Sequence, residues 1–335
     1  MTTMNSLGLS AALLAGLCLF SCDRAEPSPA VAQWREQVVF RAGGSASRAS
    51  AAPNESLVSS LDLLVFRAAD GKLDAAVRSE GTGGSIQTSV SAGVRLRYYL
   101  LANAPAGTAG GYRDERDFLS GLTLLDHGSP DGLVMRGSGE LTVTSGGGIV
   151  PVEMERYVSK VSLRSVAVDY ATAADVTVSR VVLVNAVGST PWSGIPTAGE
   201  LWYNRLGVDG SLPDTVRDML VTEYGLRAQA GTSVTLQGSL YAMPNPTANG
   251  VNSSDEPAWS PRNTRVALEL LMDGVPNWYP VDLPAMRCNA HYVIERLTVC
   301  GPGSDSPDKP VSREDVRFTV SVQPWDDADI GTSFD

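Results

Sequence analysis

Apolar residues that alternate with polar ones limit the folds open to this chain more than any other feature. Leu61, Leu63 and Val65 alternate against Asp62, Leu64 and Phe66. Val94, Leu96, Tyr98 and Leu100 interleave with Arg95 and Arg97; Val316, Phe318, Val320 and Val322 interleave with Arg317, Thr319 and Ser321. Successive side chains of a strand point to opposite faces, so each run reads as a half-buried β-strand. Further strands are expected over Leu141–Val143, Val158–Val168, Val176–Asn185, Ser233–Tyr241, Arg265–Met272 and Tyr292–Cys300. Turn chemistry separates them at Asp70-Gly71-Lys72, Ser145-Gly146-Gly147-Gly148, Asp273-Gly274 and Gly301-Pro302-Gly303. Helix signals are few. Arg113–Leu125 can hold a short helix with Phe118, Leu122 and Leu125 on one face. Ser211-Leu212-Pro213-Asp214 reads as a helix start, after which Val216, Leu220 and Tyr224 share a face. The expectation is an all-β chain with minor helices, with more than twice as much strand as helix. It should form β-sandwiches whose boundary falls near Glu153–Lys160.

The N-terminus points to export. Leu7–Phe20 is an apolar run without charge, the length of a signal-peptide core and short of the roughly 20 residues that a membrane span needs. It ends in Leu19-Phe20-Ser21-Cys22, a lipobox pattern in which Cys22 is acylated and becomes the mature N-terminus. An ordinary signal peptide cut nearby is the plainer alternative. One departure stands out: Met1–Ser10 carries no Lys or Arg. Asp23–Ala30 is Pro-rich and polar and reads as a tether. About 310 residues follow the signal, enough for two ordinary domains. A net charge of −11 argues against nucleic acid as a partner. Beyond Cys18 and Cys22 only Cys288 and Cys300 remain. A strand between them would hold them about 36–40 Å apart, so separate thiols are expected rather than a disulfide.

The catalytic inventory is thin, and the chain reads as a non-enzyme without cofactor or metal. Its two histidines, His127 and His291, fall in a turn and beside a strand. There is no Gly-x-Ser-x-Gly elbow, no His-Glu-x-x-His, no phosphate loop and no paired-Cys spacing. A carboxylate-pair glycosidase has no fixed spacing and is not tested by motif. Asp305 and Asp308 have the oxygen chemistry of a calcium loop, but Lys309 and three prolines favour a rigid turn. Trp192, Trp202, Tyr203, Trp259 and Trp278 are either a sugar-stacking surface or, preferably, core. Asp326-Asp327-Ala328-Asp329 reads most simply as a solvated charge run.

The C-terminal region carries a resemblance. Cys288-Asn289-Ala290-His291-Tyr292 is followed by a strand and then by Gly301-Pro302-Gly303-Ser304-Asp305-Ser306-Pro307-Asp308-Lys309-Pro310. The strand Val316–Val322 comes next, and then Trp325. This resembles the C-terminal signature of the fimbrillins, the subunits of type V pili. Leu63-Leu64-Val65-Phe66 before Asp70-Gly71, Tyr98–Ala104, Leu133–Gly137, Arg156–Val161 and Tyr241-Ala242-Met243-Pro244-Asn245 are similar to further family segments. The chain departs at Cys288, where Arg is usual, and at Pro244, where Glu is usual.

The resemblance implies a lipoprotein precursor with two transthyretin-like β-sandwich domains in tandem. Residues 1–21 would be the signal peptide, 22–48 a tether with a removable strand, 49–158 the first sandwich and 159–335 the second. Cys22 would be lipidated. Val38 and Phe40 face one way, as a short strand should. By the resemblance an Arg-specific protease would cut after Arg48, or alternatively Arg41, and release that strand; the plainer alternative is an uncut linker. In the tail 326–335, Ile330, Thr332 and Phe334 share a face at period two. The tail therefore reads either as a donor strand anchored by Ile330 and Phe334 in the vacated groove of another subunit or as a frayed C-terminus. The partners implied are further copies, accessory pilus subunits, the outer membrane through the lipid, and host or bacterial surface ligands. A stalk subunit of a surface fimbrium is the leading expectation. A tip or anchor subunit, or a monomeric surface glycan-binding lipoprotein, are the alternatives.

Overall fold

Strand accounts for about 51% of the described residues and helix for 7%, the all-β balance that the alternating runs require. The computed structural model describes residues 34–43, 55–81, 83–170, 175–197, 199–248, 250–251 and 254–325.

The N-terminal half holds two sheets face to face. One contains β1 (Arg35–Gly43), β4 (Ser85–Ser91) and β8 (Gly148–Glu153), in the order β4-β1-β8. The other contains β2 (Ser60–Arg67), β3 (Leu73–Glu80), β5 (Arg95–Ala102), β7 (Met135–Thr142) and β9 (Glu155–Arg156), in the order β3-β2-β5-β7-β9. Val38, Phe40, Ile86, Val90, Leu61, Leu63, Val65, Leu96 and Leu100 fill the space between them. β2 differs from a half-buried strand: Leu61 through Phe66 are all buried. Its second face, with Leu64 and Phe66, packs under α1 (Glu115–Ser120), where Phe66 and Phe118 lie 6.0 Å apart. Asp62 stays on that strand because Arg78 reaches it with an ion pair.

Helix α1 is shorter than the expected Arg113–Leu125. Asp114 caps its start by accepting from the Asp117 amide at 2.9 Å, and Gly121 ends it. A side chain at Gly121 would meet the Tyr112 hydroxyl at 2.7 Å. Beyond it, β6 (Leu122–Leu124) exposes Leu122 instead of burying it.

The C-terminal half is a second sandwich. Its first sheet combines β10 (Ser159–Leu163), β11 (Ser165–Val168), β17 (Ser233–Thr235), β18 (Leu240–Ala242), β21 (Ala290–Val299) and the edge strand β22 (Val316–Pro324). Facing it, β12 (Val176–Val184), β16 (Val221–Ala228), β19 (Arg265–Met272) and β20 (Val275–Asp282) run in the order β16-β12-β19-β20. Two small pairs complete the fold. β13 (Ala186–Val187) joins β15 (Trp202–Tyr203), and β14 (Ser189–Pro191) joins β6 of the other half. The second helix is α2 (Asp214–Leu220), led by Pro213 rather than capped by Ser211, whose hydroxyl bonds Asp209 at 2.7 Å. Tyr224 therefore lies on β16, not on the helix. The two halves share one core: Leu64, Phe66, Phe118 and Leu133 belong to the same cluster as Val178, Leu268 and Ile294.

Candidate functional site

The feature of the N-terminal half with consequences for function is β1. It pairs antiparallel with β4 from Arg35↔Ser91 to Arg41↔Ser85 and parallel with β8 from Val38↔Gly148 to Gly43↔Glu153. Among the described residues each flanking strand has β1 as its only ladder partner. Period two turns Val38, Phe40 and Ala42 inward, and all three are buried. Phe40 packs 5.1 Å from the Tyr98 ring. Burying Val38 and Phe40 contributes about 1.5–3 kcal/mol each. Gly147 lets the strand pass, because a Cβ there would stand 2.1 Å from the Gln37 carbonyl oxygen. Its φ of +68° also suits glycine. At the outer end Arg35 reaches Asp74, whose carboxylate also accepts from the Ser91 amide at 2.9 Å.

Arg41 sits inside this ladder, opposite Ser85 and Pro151, with its side chain exposed. Arg48 lies outside the described residues, as do Cys22, Ile330 and Phe334. Val38 and Phe40 stand out in the sequence by alternation. Ala42 follows from the same period, whereas the partners β4 and β8 carry no sequence signal that ties them to β1.

A second constellation gathers residues of the C-terminal signature. Trp325 is buried where the chain leaves β22. Its ring stacks on Tyr241 at 5.9 Å and lies 4.4 Å from the Arg156 guanidinium carbon and 5.4 Å from Lys160 Nζ. Lys160 pairs with Glu55 at 2.7 Å, and Tyr241 donates its hydroxyl proton to the same carboxylate. Burial, then the Glu55 charge, pushes the Tyr241 phenol well above its usual range. Arg156 donates to the Glu55 carbonyl at 3.3 Å. The residues just after the 44–54 segment are thus held against the root of the C-terminal tail.

The remaining candidates are structural. Asp308 is fully buried and accepts from Arg262 at 3.1 Å and from Arg265, while Asn185 donates to it at 2.6 Å. Asp305 pairs with Lys309 at 2.8 Å. Both carboxylates are thus committed to cations of the chain itself, the rigid-turn reading. Asn289 and Tyr292 fix local backbone: the Tyr292 hydroxyl donates to the Ala285 carbonyl at 2.9 Å. At the other departure, Asn245 after Pro244 donates to the Arg262 carbonyl at 2.9 Å. Cys288 and Cys300 are free thiols at the two ends of β21, and burial pushes Cys288 up to about 11. Trp192 and Trp202 are core residues against which Tyr203 and Trp259 pack, and Trp278 is buried in a separate small cluster with Val182, Val184 and Ala267. They form no exposed stacking platform. His127 accepts from the Leu124 amide at 3.2 Å, and His291 Nε2 bonds Ser162 at 2.9 Å.

No family model and no curated protein matches the sequence. Solved structures do match over most of the chain. A candidate cell adhesion protein from Parabacteroides distasonis ATCC 8503 is 17% identical with a TM-score of 0.63, covering 88% of this chain and 99% of that one. A fimbrilin from Porphyromonas gingivalis W83 is 16% identical with a TM-score of 0.59, covering 86% and 97%. A fimbrial assembly protein from Parabacteroides distasonis ATCC 8503 is 12% identical with a TM-score of 0.50, covering 87% and 98%. The chain has the fold of these proteins.

Proposed function

We propose that this chain is a fimbrillin-type pilus subunit of the cell surface that polymerises by strand replacement after proteolysis. The observation that supports the reading best is the position of β1. A strand that alone joins β4 to β8 and fills the core with Val38, Phe40 and Ala42 leaves, on departure, two open ladders around an apolar groove. Such a groove has to be refilled by a strand, because exposed apolar surface and free backbone groups together are costly. Residues 49–158 and 159–335 are its two sandwich domains, and Cys22 carries the lipid that holds the precursor at the outer membrane. Cleavage after Arg48 frees β1. The alternative at Arg41 would first require the ladder to open there, since Arg41 pairs on both sides. The donor is the tail 326–335 of another copy, with Ile330 and Phe334 as anchors. A head-to-tail contact that does not close then grows a filament. Adhesion, with host or bacterial surface ligands and accessory subunits, is the service such a filament performs, and it calls for no catalytic residue.

The test is N-terminal sequencing of surface-assembled material from cells exporting the natural chain, an Arg48→Ala chain, or a chain lacking Asp329–Asp335. Assembled material should begin at Ala49, and both variants should reach the surface as monomers. Polymers that still begin at Cys22, or normal polymer ladders from the tail deletion, would overturn the maturation step and the donor assignment respectively.

A further inference from the structure

We propose that the free edge of β22 is a lateral docking surface for a second copy of this chain, pairing β22 with β22 about a two-fold axis at Val320. Among the described residues β22 pairs with β21 alone, so its other edge offers a row of backbone donors and acceptors. The ladder sets which side chains face inward. Val316 stands opposite Val299, Phe318 opposite Leu297, Val320 opposite Ile294 and Val322 opposite Tyr292. Those four β21 residues are fully buried core, and directly opposed residues share a face. The β22 stripe therefore points into the sandwich, yet Phe318 is 39% and Val322 42% exposed. Val320 packs against the core, while Phe318 and Val322 leave an apolar strip along an open ladder.

The occupant follows from the strip itself. Antiparallel self-pairing centred on Val320 sets Phe318 against Val322 of the second copy and Thr319 against Ser321. Arg317, the only charged residue of β22, falls against Gln323, so no like charges meet. The strand has no Lys and no inward charge, and its one Pro is the last residue. Of the usual devices that blunt an edge, the ladder carries only the bulge at Ile294–Leu297, which lies on β21 and not on β22 itself. The last described residue turns its side chain away from this edge. The Trp325 amide bonds the Asn289 carbonyl at 3.3 Å, the next step of the β21–β22 ladder, and its ring lies over Lys160 and Tyr241 on the β10 side. The inference goes beyond strand replacement at β1 and does not depend on it.

Cysteine crosslinking on intact cells exporting the full chain tests the pairing. Val320→Cys puts two thiols opposite each other on the axis, within the roughly 7 Å between Cα atoms that a disulfide allows. Mild oxidation should shift this variant from the monomer to the dimer band on a non-reducing gel. The parent chain and Arg317→Cys, which faces Gln323 of the second copy, should stay monomeric. Deleting residues 326–335 should leave the Val320→Cys dimer unchanged. A Val320→Cys chain that stays monomeric, or that crosslinks no better than Arg317→Cys, overturns the proposal. So does a dimer that forms only after the tail is deleted, which would make the tail the strand covering β22.

Discussion

Phe40→Ala separates the precursor from the assembled subunit. Phe40 is fully buried, packs against Tyr98 at 5.1 Å and is the largest inward side chain of β1. Truncating a buried Phe costs about 3–5 kcal/mol in lost transfer energy and residual cavity. Domains are stable by only about 5–15 kcal/mol, so the three-stranded sheet of the precursor would be left marginal. Since about 1.4 kcal/mol is a factor of ten, amides of β4 and β8 should exchange with solvent between roughly a hundredfold and a few thousandfold faster. The central ladder of β19 in the other sandwich should keep its protection. Hydrogen exchange read by mass spectrometry on the precursor measures both. After cleavage and assembly the same substitution should have no effect, because β1 has left. Equal destabilisation of precursor and polymer would refute the reasoning, since it would mean that β1 stays in place.

Three further outcomes follow from the C-terminal half. Asp308→Ala removes the carboxylate shared by the buried Arg262 and Arg265, and should cost about 3–5 kcal/mol in denaturant unfolding. Asp305→Ala, which breaks an exposed pair with Lys309, should leave the unfolding midpoint close to that of the parent chain. Cys288, pushed from 9.0 to about 11, carries about a hundredfold less thiolate at pH 8 than an ordinary cysteine. Iodoacetamide should modify it slower by a similar factor in the folded chain and at the ordinary rate in urea.

The strands were legible where one local pattern decides them. Arg265–Met272 is β19 to the residue, and Val38 and Phe40 mark β1 by period alone. Burial was less legible, because it depends on what lies across. β22 alternates as cleanly as β5, yet Phe318 and Val322 remain partly open, whereas β2 is covered on both faces. The helix at Arg113 ends early for the same kind of reason: the Tyr112 and Trp192 side chains leave no room at Gly121. Nor does any spacing rule join Arg265 to Asp308 or Glu55 to Lys160. Those pairs exist because turns bring distant segments together, and a single sequence shows only the charges.

The place of β1 also bears on when the first half of the molecule can finish folding. β1 is made before any of its partners, yet Val38 waits for Gly148, about 110 positions later in the chain. Closing a loop of that length is an entropic barrier that local pairs such as β2 with β3 do not face. The β1 ladder with β4 spans about 50 positions, but the β8 side of the three-stranded sheet would close only after that longer loop, so full seating of β1 is expected late. A strand that joins late through distant contacts adds little to the folding nucleus, so weakening it should speed unfolding more than it slows folding. The element synthesised first would thus also be the one most readily exchanged, without unmaking the rest of the fold.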